Sequence, residues 1–108
     1  RWLVEGLPLT PLSPAETAVN VTVVESGNTH EENANLKAAA WSETFGGLAL
    51  ASDGGLVIPA LGERWDSVRT SRFADPEAGD CQRTEALLDL MQDCSGKERR
   101  CLRARRVF

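Results

Sequence analysis

Apolar and polar positions alternate from Val19 to Val24 (Val-Asn-Val-Thr-Val-Val), the period-two signature of a strand, and this strand delivers Glu25 into a loop. The period then lengthens. Thr29 followed three residues later by Glu32 is a capping box, which predicts a helix from Thr29 to about Thr44 with Asn33, Leu36, Lys37 and Ala40 on successive turns. The segment Ala38-Ala39-Ala40-Trp41 favours helix and close packing, and Phe45-Gly46-Gly47 stops it. The run Leu48 to Ala51 reads as a short strand buried on both faces, ended by a turn at Ser52-Asp53-Gly54-Gly55. Leu56-Val57-Ile58 continues as strand or bend, and Pro59 marks it as peripheral. Ala60 to Ser67 is expected as a loop carrying Trp65, and Val68 to Ala74 as an irregular, Arg-containing segment. Asp75-Pro76-Glu77 opens a second helix, in which Leu87, Leu88 and Met91 recur at helical spacing and which Ser95-Gly96 ends. Leu102 to Phe108 reads as a strand, and Trp2 to Leu7 as the end of a helix closed by Gly6, before Pro8, Pro11 and Pro14 forbid regular structure. Strand, helix, strand, helix, strand is an α/β order.

Composition narrows the class. A chain of 108 residues makes at most one domain, and 42% hydrophobic residues suffice for a modest core. Sixteen acidic against twelve basic residues give a formal charge of −4 and no general reason to expect nucleic-acid binding. Lys97, Arg99, Arg100, Arg103, Arg105 and Arg106 crowd the C-terminal stretch, and the reading adopted for them is a solvated strand edge rather than a nucleic-acid or membrane patch. The three cysteines, Cys81, Cys94 and Cys101, form no Cys-x-x-Cys pair, so a zinc site is not expected and the odd count points to reduced thiols. No apolar run approaches the ~20 residues that span a bilayer. The expected setting is the cytoplasm.

Two carboxylates stand out. Glu25 precedes a helix and Asp53 follows an apolar run beside glycines, a placement that suits a divalent cation, with Mg²⁺ expected because it takes one or two carboxylates and completes its shell with water and phosphate. Each has a plainer reading: Glu25 as an acid favoured near a helix N-terminus, Asp53 as a turn former. Glu32 is either a second acid of the site or simply the partner in the capping box. Lys37 either reaches a phosphate or simply pairs with Asn33 and solvent. No nucleophile–base–acid triad can be built around the lone His30.

Three blocks carry a family resemblance: Glu25 to Ala38 (Glu-Ser-Gly-Asn-Thr-His-Glu-Glu-Asn-Ala-Asn-Leu-Lys-Ala), Ala51 to Gly62, and Val68 to Ala74 (Val-Arg-Thr-Ser-Arg-Phe-Ala). In order and spacing they resemble the inosine triphosphatase family, purine nucleoside triphosphate pyrophosphatases also called XTP/dITP diphosphatases. The resemblance implies a mixed twisted sheet flanked by helices, present here as a single partial α/β domain over residues 1–108 and truncated at both ends. It lacks a phosphate-binding Ser/Thr-Gly-Asn-x-x-Lys loop upstream and the base-receiving half downstream. It further implies hydrolysis of ITP, XTP and dITP to the monophosphate and pyrophosphate, Mg²⁺ as cofactor, a purine nucleoside triphosphate as substrate, a homodimer in the complete protein, and no nucleic-acid or membrane partner. By the same resemblance Asp53 is the catalytic residue, Glu25 and Asp53 hold the metal, and Gly54, Lys37 and Arg72 contact substrate, Arg72 with a structural role as the alternative. Ser52 and Gly54 stand where the family usually has Asp and Ser, and Ile58-Pro59 where it has Val-Asp. His30 replaces a usual Phe and is expected to pack rather than to catalyse. The alternative is a non-catalytic remnant or interaction module that keeps only the middle of the fold.

Overall fold

A computed structural model of the chain describes residues 2–75, 77–100 and 103–108, the side chains of Trp2, Ser71 and Arg72 excepted. Two α-helices, α1 (His30–Phe45) and α2 (Asp80–Leu90), alternate with two strands, β1 (Asp53–Val57) and β2 (Arg103–Val107), and short 3-10 turns fill the connections. The strands form an antiparallel pair in which Asp53 faces Val107, Gly55 faces Arg105 and Val57 faces Arg103. Mixed helix and sheet is consistent with the α/β class.

Helix α1 follows the sequence closely. Thr29 adopts an extended conformation and its hydroxyl accepts the Glu32 N–H at 3.1 Å, while Gly46 ends the helix in the left-handed region at φ 76°. Helix α2 is shorter at both ends than Asp75 to Ser95. It starts at Asp80, where the Gln82 side chain accepts the Gly79 N–H, and it unwinds at Met91, whose N–H is shared between the Leu87 and Leu88 carbonyls.

The strands depart from expectation. Neither Val19 to Val24 nor Leu48 to Ala51 is a strand, and Leu48 is 88% exposed instead of buried on both faces. Alternation supplies a pattern, but a strand also needs a neighbour to take its backbone hydrogen bonds, and among the described residues neither run has one. Asp53-Gly54-Gly55 begins β1 instead of turning the chain. A Cβ at Gly54 would meet the Arg105 carbonyl, so the absent side chain is what lets β2 lie against β1. The stretches at residues 60–67 and 68–74 are largely 3-10 turns, Pro59–Arg64 and Ser67–Arg72, rather than open loop.

The core is small. Ile58, Leu61 and Met91 are buried together with Leu56, Trp65, Leu87, Leu90 and Cys94 packed around them, and the Trp65 indole N–H donates to the Leu56 carbonyl at 2.6 Å. The radius of gyration is 17.0 Å, against about 13 Å for a compact chain of this length. Val24, Leu48 and Leu50 remain exposed, so the described residues leave apolar surface uncovered. No helix among them is long and apolar enough to cross a membrane.

Candidate functional site

The site is built on one face of α1. His30, Asn33 and Ala34 are buried and Lys37 follows one turn later, the spacing that places them in a row. Asn33, with 0% of its surface exposed, accepts the Gly27 N–H on Oδ1 at 2.8 Å and so fastens the Glu25-Ser26-Gly27 loop to the helix. The approach is close: a Cβ at Gly27 would lie 2.6 Å from that oxygen. On the other side, Gly54 and the β1–β2 pairing hold Asp53 at the start of β1.

Glu25 and Asp53 thereby converge on Lys37. The Nζ is 2.9 Å from Glu25 Oε1 and 2.8 Å from Asp53 Oδ1. Asp53 Oδ2 is 2.6 Å from His30 Nδ1, and the carboxylate is only 10% exposed. Burial pushes the Asp53 carboxyl up, but the hydrogen bonds from Lys37 and His30 and their charges outweigh it and hold it below the ordinary range. Burial likewise pushes the Lys37 ammonium down, and hydrogen bonds to Asp53 and Glu25 outweigh that, so it sits above its ordinary value. A carboxylate held low is a poor proton acceptor and a ready anion, which favours cation binding over base work. Glu25, Asp53 and Gly54 also line a cleft of about 320 Å³, together with Trp65, Phe73 and Leu87. The two rings lie 4.9 Å apart, tilted by 55°.

The other sequence candidates fall as follows. The Glu32 carboxylate receives the Asn28 N–H at 2.6 Å, so it serves the helix start. Gly54 lies at the cleft wall, paired in register with Arg106. Lys37 is no solvent-paired lysine but the bridge between the two acids. The Arg72 side chain lies outside the described residues. His30 packs, as expected for its position, with 3% exposure, yet it also contacts Asp53, a role the sequence reading missed; the available signal was its i, i+7 relation to Lys37 on the Asn33 face. At the rim, Arg105 of β2 pairs with Glu31 at 2.8 Å and Arg69 with Asp66 at 3.0 Å.

Among the described residues no three His, Cys, Asp or Glu side chains cluster as a metal site would require if protein alone supplied it. Mg²⁺ does not require that, since one or two carboxylates suffice beside substrate phosphates. The Lys37 ammonium shows that the Glu25 and Asp53 oxygens together favour a positive charge, so the donor set fits a divalent cation in kind.

Comparison with known proteins adds independent weight. The model of the Ham1 family matches residues 4–108. The chain is 41% identical over 80 residues to the dITP/XTP pyrophosphatase of Anaeromyxobacter sp. (strain Fw109-5), covering 73% of this chain and 34% of that protein. It is 42% identical over 81 residues to the dITP/XTP pyrophosphatase of Syntrophobacter fumaroxidans, covering 75% and 33%, and 44% identical over 66 residues to that of Streptococcus pyogenes serotype M6, covering 61% and 20%. The chain thus spans about a third or less of the length of these relatives. No solved structure gives a match.

Proposed function

The chain belongs to the Ham1 family, and from that premise we propose that it is a partial α/β domain, of inosine triphosphatase-like fold, of a nucleoside triphosphate pyrophosphatase that hydrolyses ITP, XTP and dITP to the monophosphate and pyrophosphate. The observation that carries the proposal is the convergence on a single ammonium of Glu25 and Asp53, both of which line the cleft. The exposed Val24, Leu48 and Leu50 support reading residues 1–108 as part of a larger sheet.

In this reading Glu25 and Asp53 hold Mg²⁺, which when bound supplies charge neutralisation at the phosphates. Lys37 exchanges its two carboxylate partners for a phosphate oxygen as the nucleotide enters. Asp53 orients the attacking water through a hydrogen bond. Gly54, at the cleft wall, contacts the phosphate chain through its backbone, and Arg72 adds a cationic contact. The complete protein is a cytoplasmic homodimer with neither nucleic acid nor membrane as partner.

The test is segment replacement. Residues 4–108 are exchanged for the matching segment of the complete Anaeromyxobacter relative, and pyrophosphate release from XTP and dITP is measured with Mg²⁺. Retained turnover that falls about 10²-fold or more on Asp53→Asn is expected. A correctly folded replacement that releases no pyrophosphate would favour the non-catalytic alternative.

A further inference from the structure

His30 is the one buried titratable side chain on the site face of α1 to which the proposed chemistry gives no task. Its ring is fixed from two sides. The helix start sets its backbone, because Thr29 caps α1 and His30 is the first helical residue. Its Nδ1 lies 2.6 Å from Asp53 Oδ2, while Nε2 is buried with no hydrogen-bond partner among the described residues. A carboxylate can only accept, so the shared proton sits on Nδ1 and the ring is the donor. A buried nitrogen left without a partner costs free energy, and packing alone would be served by an apolar ring of the same size. What the imidazole supplies is therefore the Nδ1–H.

Asp53 has two oxygens and two partners. Lys37 takes Oδ1 and His30 takes Oδ2, both reaching Asp53 from α1. Without the His30 bond only the Lys37 contact holds the carboxylate, and once a cation or phosphate displaces that ammonium the group is free to turn about its Cβ–Cγ bond and present either oxygen to the point where Glu25 also converges. Hydrogen-bonding a ligating carboxylate from behind orients it and tunes its affinity.

We propose that His30 is a positioning residue, which donates Nδ1–H to Asp53 Oδ2 and so fixes Oδ1 toward Glu25 and the cation that the pair binds. The proposal rests on the reading of Glu25 and Asp53 as a cation site, and it deepens that reading by naming what orients the second ligand.

The experiment uses the 108-residue chain in four forms: unaltered, His30→Asn, His30→Phe and Asp53→Asn. An Asn side-chain amide places an N–H close to where Nδ1 stands, whereas Phe matches the ring volume without a donor. Circular dichroism establishes that each is folded. Imidazole-¹⁵N correlation spectra of the unaltered chain are expected to show the Nδ1–H tautomer, with an Nδ1 proton signal that disappears or moves in Asp53→Asn. The Lys37 ammonium resonance, slowed in exchange by its two carboxylate contacts, is expected to persist in His30→Asn and to be lost in His30→Phe. Mn²⁺ titration is expected to give His30→Asn an affinity within about threefold of the unaltered chain and His30→Phe one weaker by about tenfold or more. An Nε2–H tautomer, or identical Lys37 signals and Mn²⁺ affinities in His30→Asn and His30→Phe, overturns the proposal. Should the tautomer and the Lys37 signals behave as expected while no form binds Mn²⁺, Asp53 positioning stands and the cation-site reading falls.

Discussion

Replacing Lys37 by Met keeps an unbranched side chain, one atom shorter, and removes the charge that separates two acids. The contacts of 2.9 and 2.8 Å to one Nζ put Glu25 Oε1 and Asp53 Oδ1 no more than 5.7 Å apart. Two negative charges at that separation repel by about 0.7 kcal/mol at a water-like dielectric and about 3 kcal/mol at an effective dielectric of 20. Glu25 is 33% exposed and Asp53 10%, so the site lies between these limits, and relaxation of the more exposed Glu25 brings the expected destabilisation to about 1–2 kcal/mol. Urea unfolding at pH 7 reads this as a lower midpoint with an unchanged slope. The deficit should shrink as pH falls and the carboxylates protonate, and Asp53→Asn in the Lys37→Met background should recover part of it. A deficit that is constant from pH 7 to acid, or that grows when Asp53→Asn is added, refutes the electrostatic reasoning.

Three further outcomes are expected. Because Asp53 is held below its ordinary value of 3.8, its contribution to stability is present above that pH and is lost as pH falls through the lower folded value; Lys37, raised above 10.5, contributes fully below that pH and loses its contribution as pH rises through the higher folded value. The part of the stability removed by Lys37→Met should therefore form a plateau between those two pH values, and a stability difference confined to neutral pH would contradict the assignment. Gly27→Ala drives a methyl group against Asn33 Oδ1 and should cost about 1–3 kcal/mol in urea unfolding, with unchanged stability meaning that the loop is not held as described. Gly54→Ser, which puts a Cβ against the Arg105 carbonyl, should weaken β1–β2 pairing and speed amide exchange across residues 103–107; exchange as slow as in the unaltered chain would show that β2 does not depend on that glycine.

What the chain reveals before folding is uneven. The start of helix α1 is legible to within a residue because its signals are local: a Thr hydroxyl, a Glu three positions on and a glycine at the end act within one turn. The runs at Val19 to Val24 and Leu48 to Ala51 were misread because a strand is a relation between two segments, and alternation in one says nothing about the other. The same limit hid β1, whose Asp53-Gly54-Gly55 looks like turn chemistry until Arg105 and Arg106 arrive from the far end of the chain to pair with it. At the site, the meeting of Glu25 with Asp53 followed from motif order, but the means did not. That Lys37 bridges the acids and that His30 lies behind Asp53 depends on where α1 sits against β1, a packing fact that a lone His in a sequence does not disclose.

The central claim is that Glu25 and Asp53 form one divalent-cation site, and Mn²⁺ titration of the 108-residue chain by electron paramagnetic resonance tests it most directly. A single site displaced by Mg²⁺, and weakened about tenfold or more by Glu25→Gln and by Asp53→Asn alike, is expected. Binding that neither substitution changes, or that only one of them changes, would contradict a shared site.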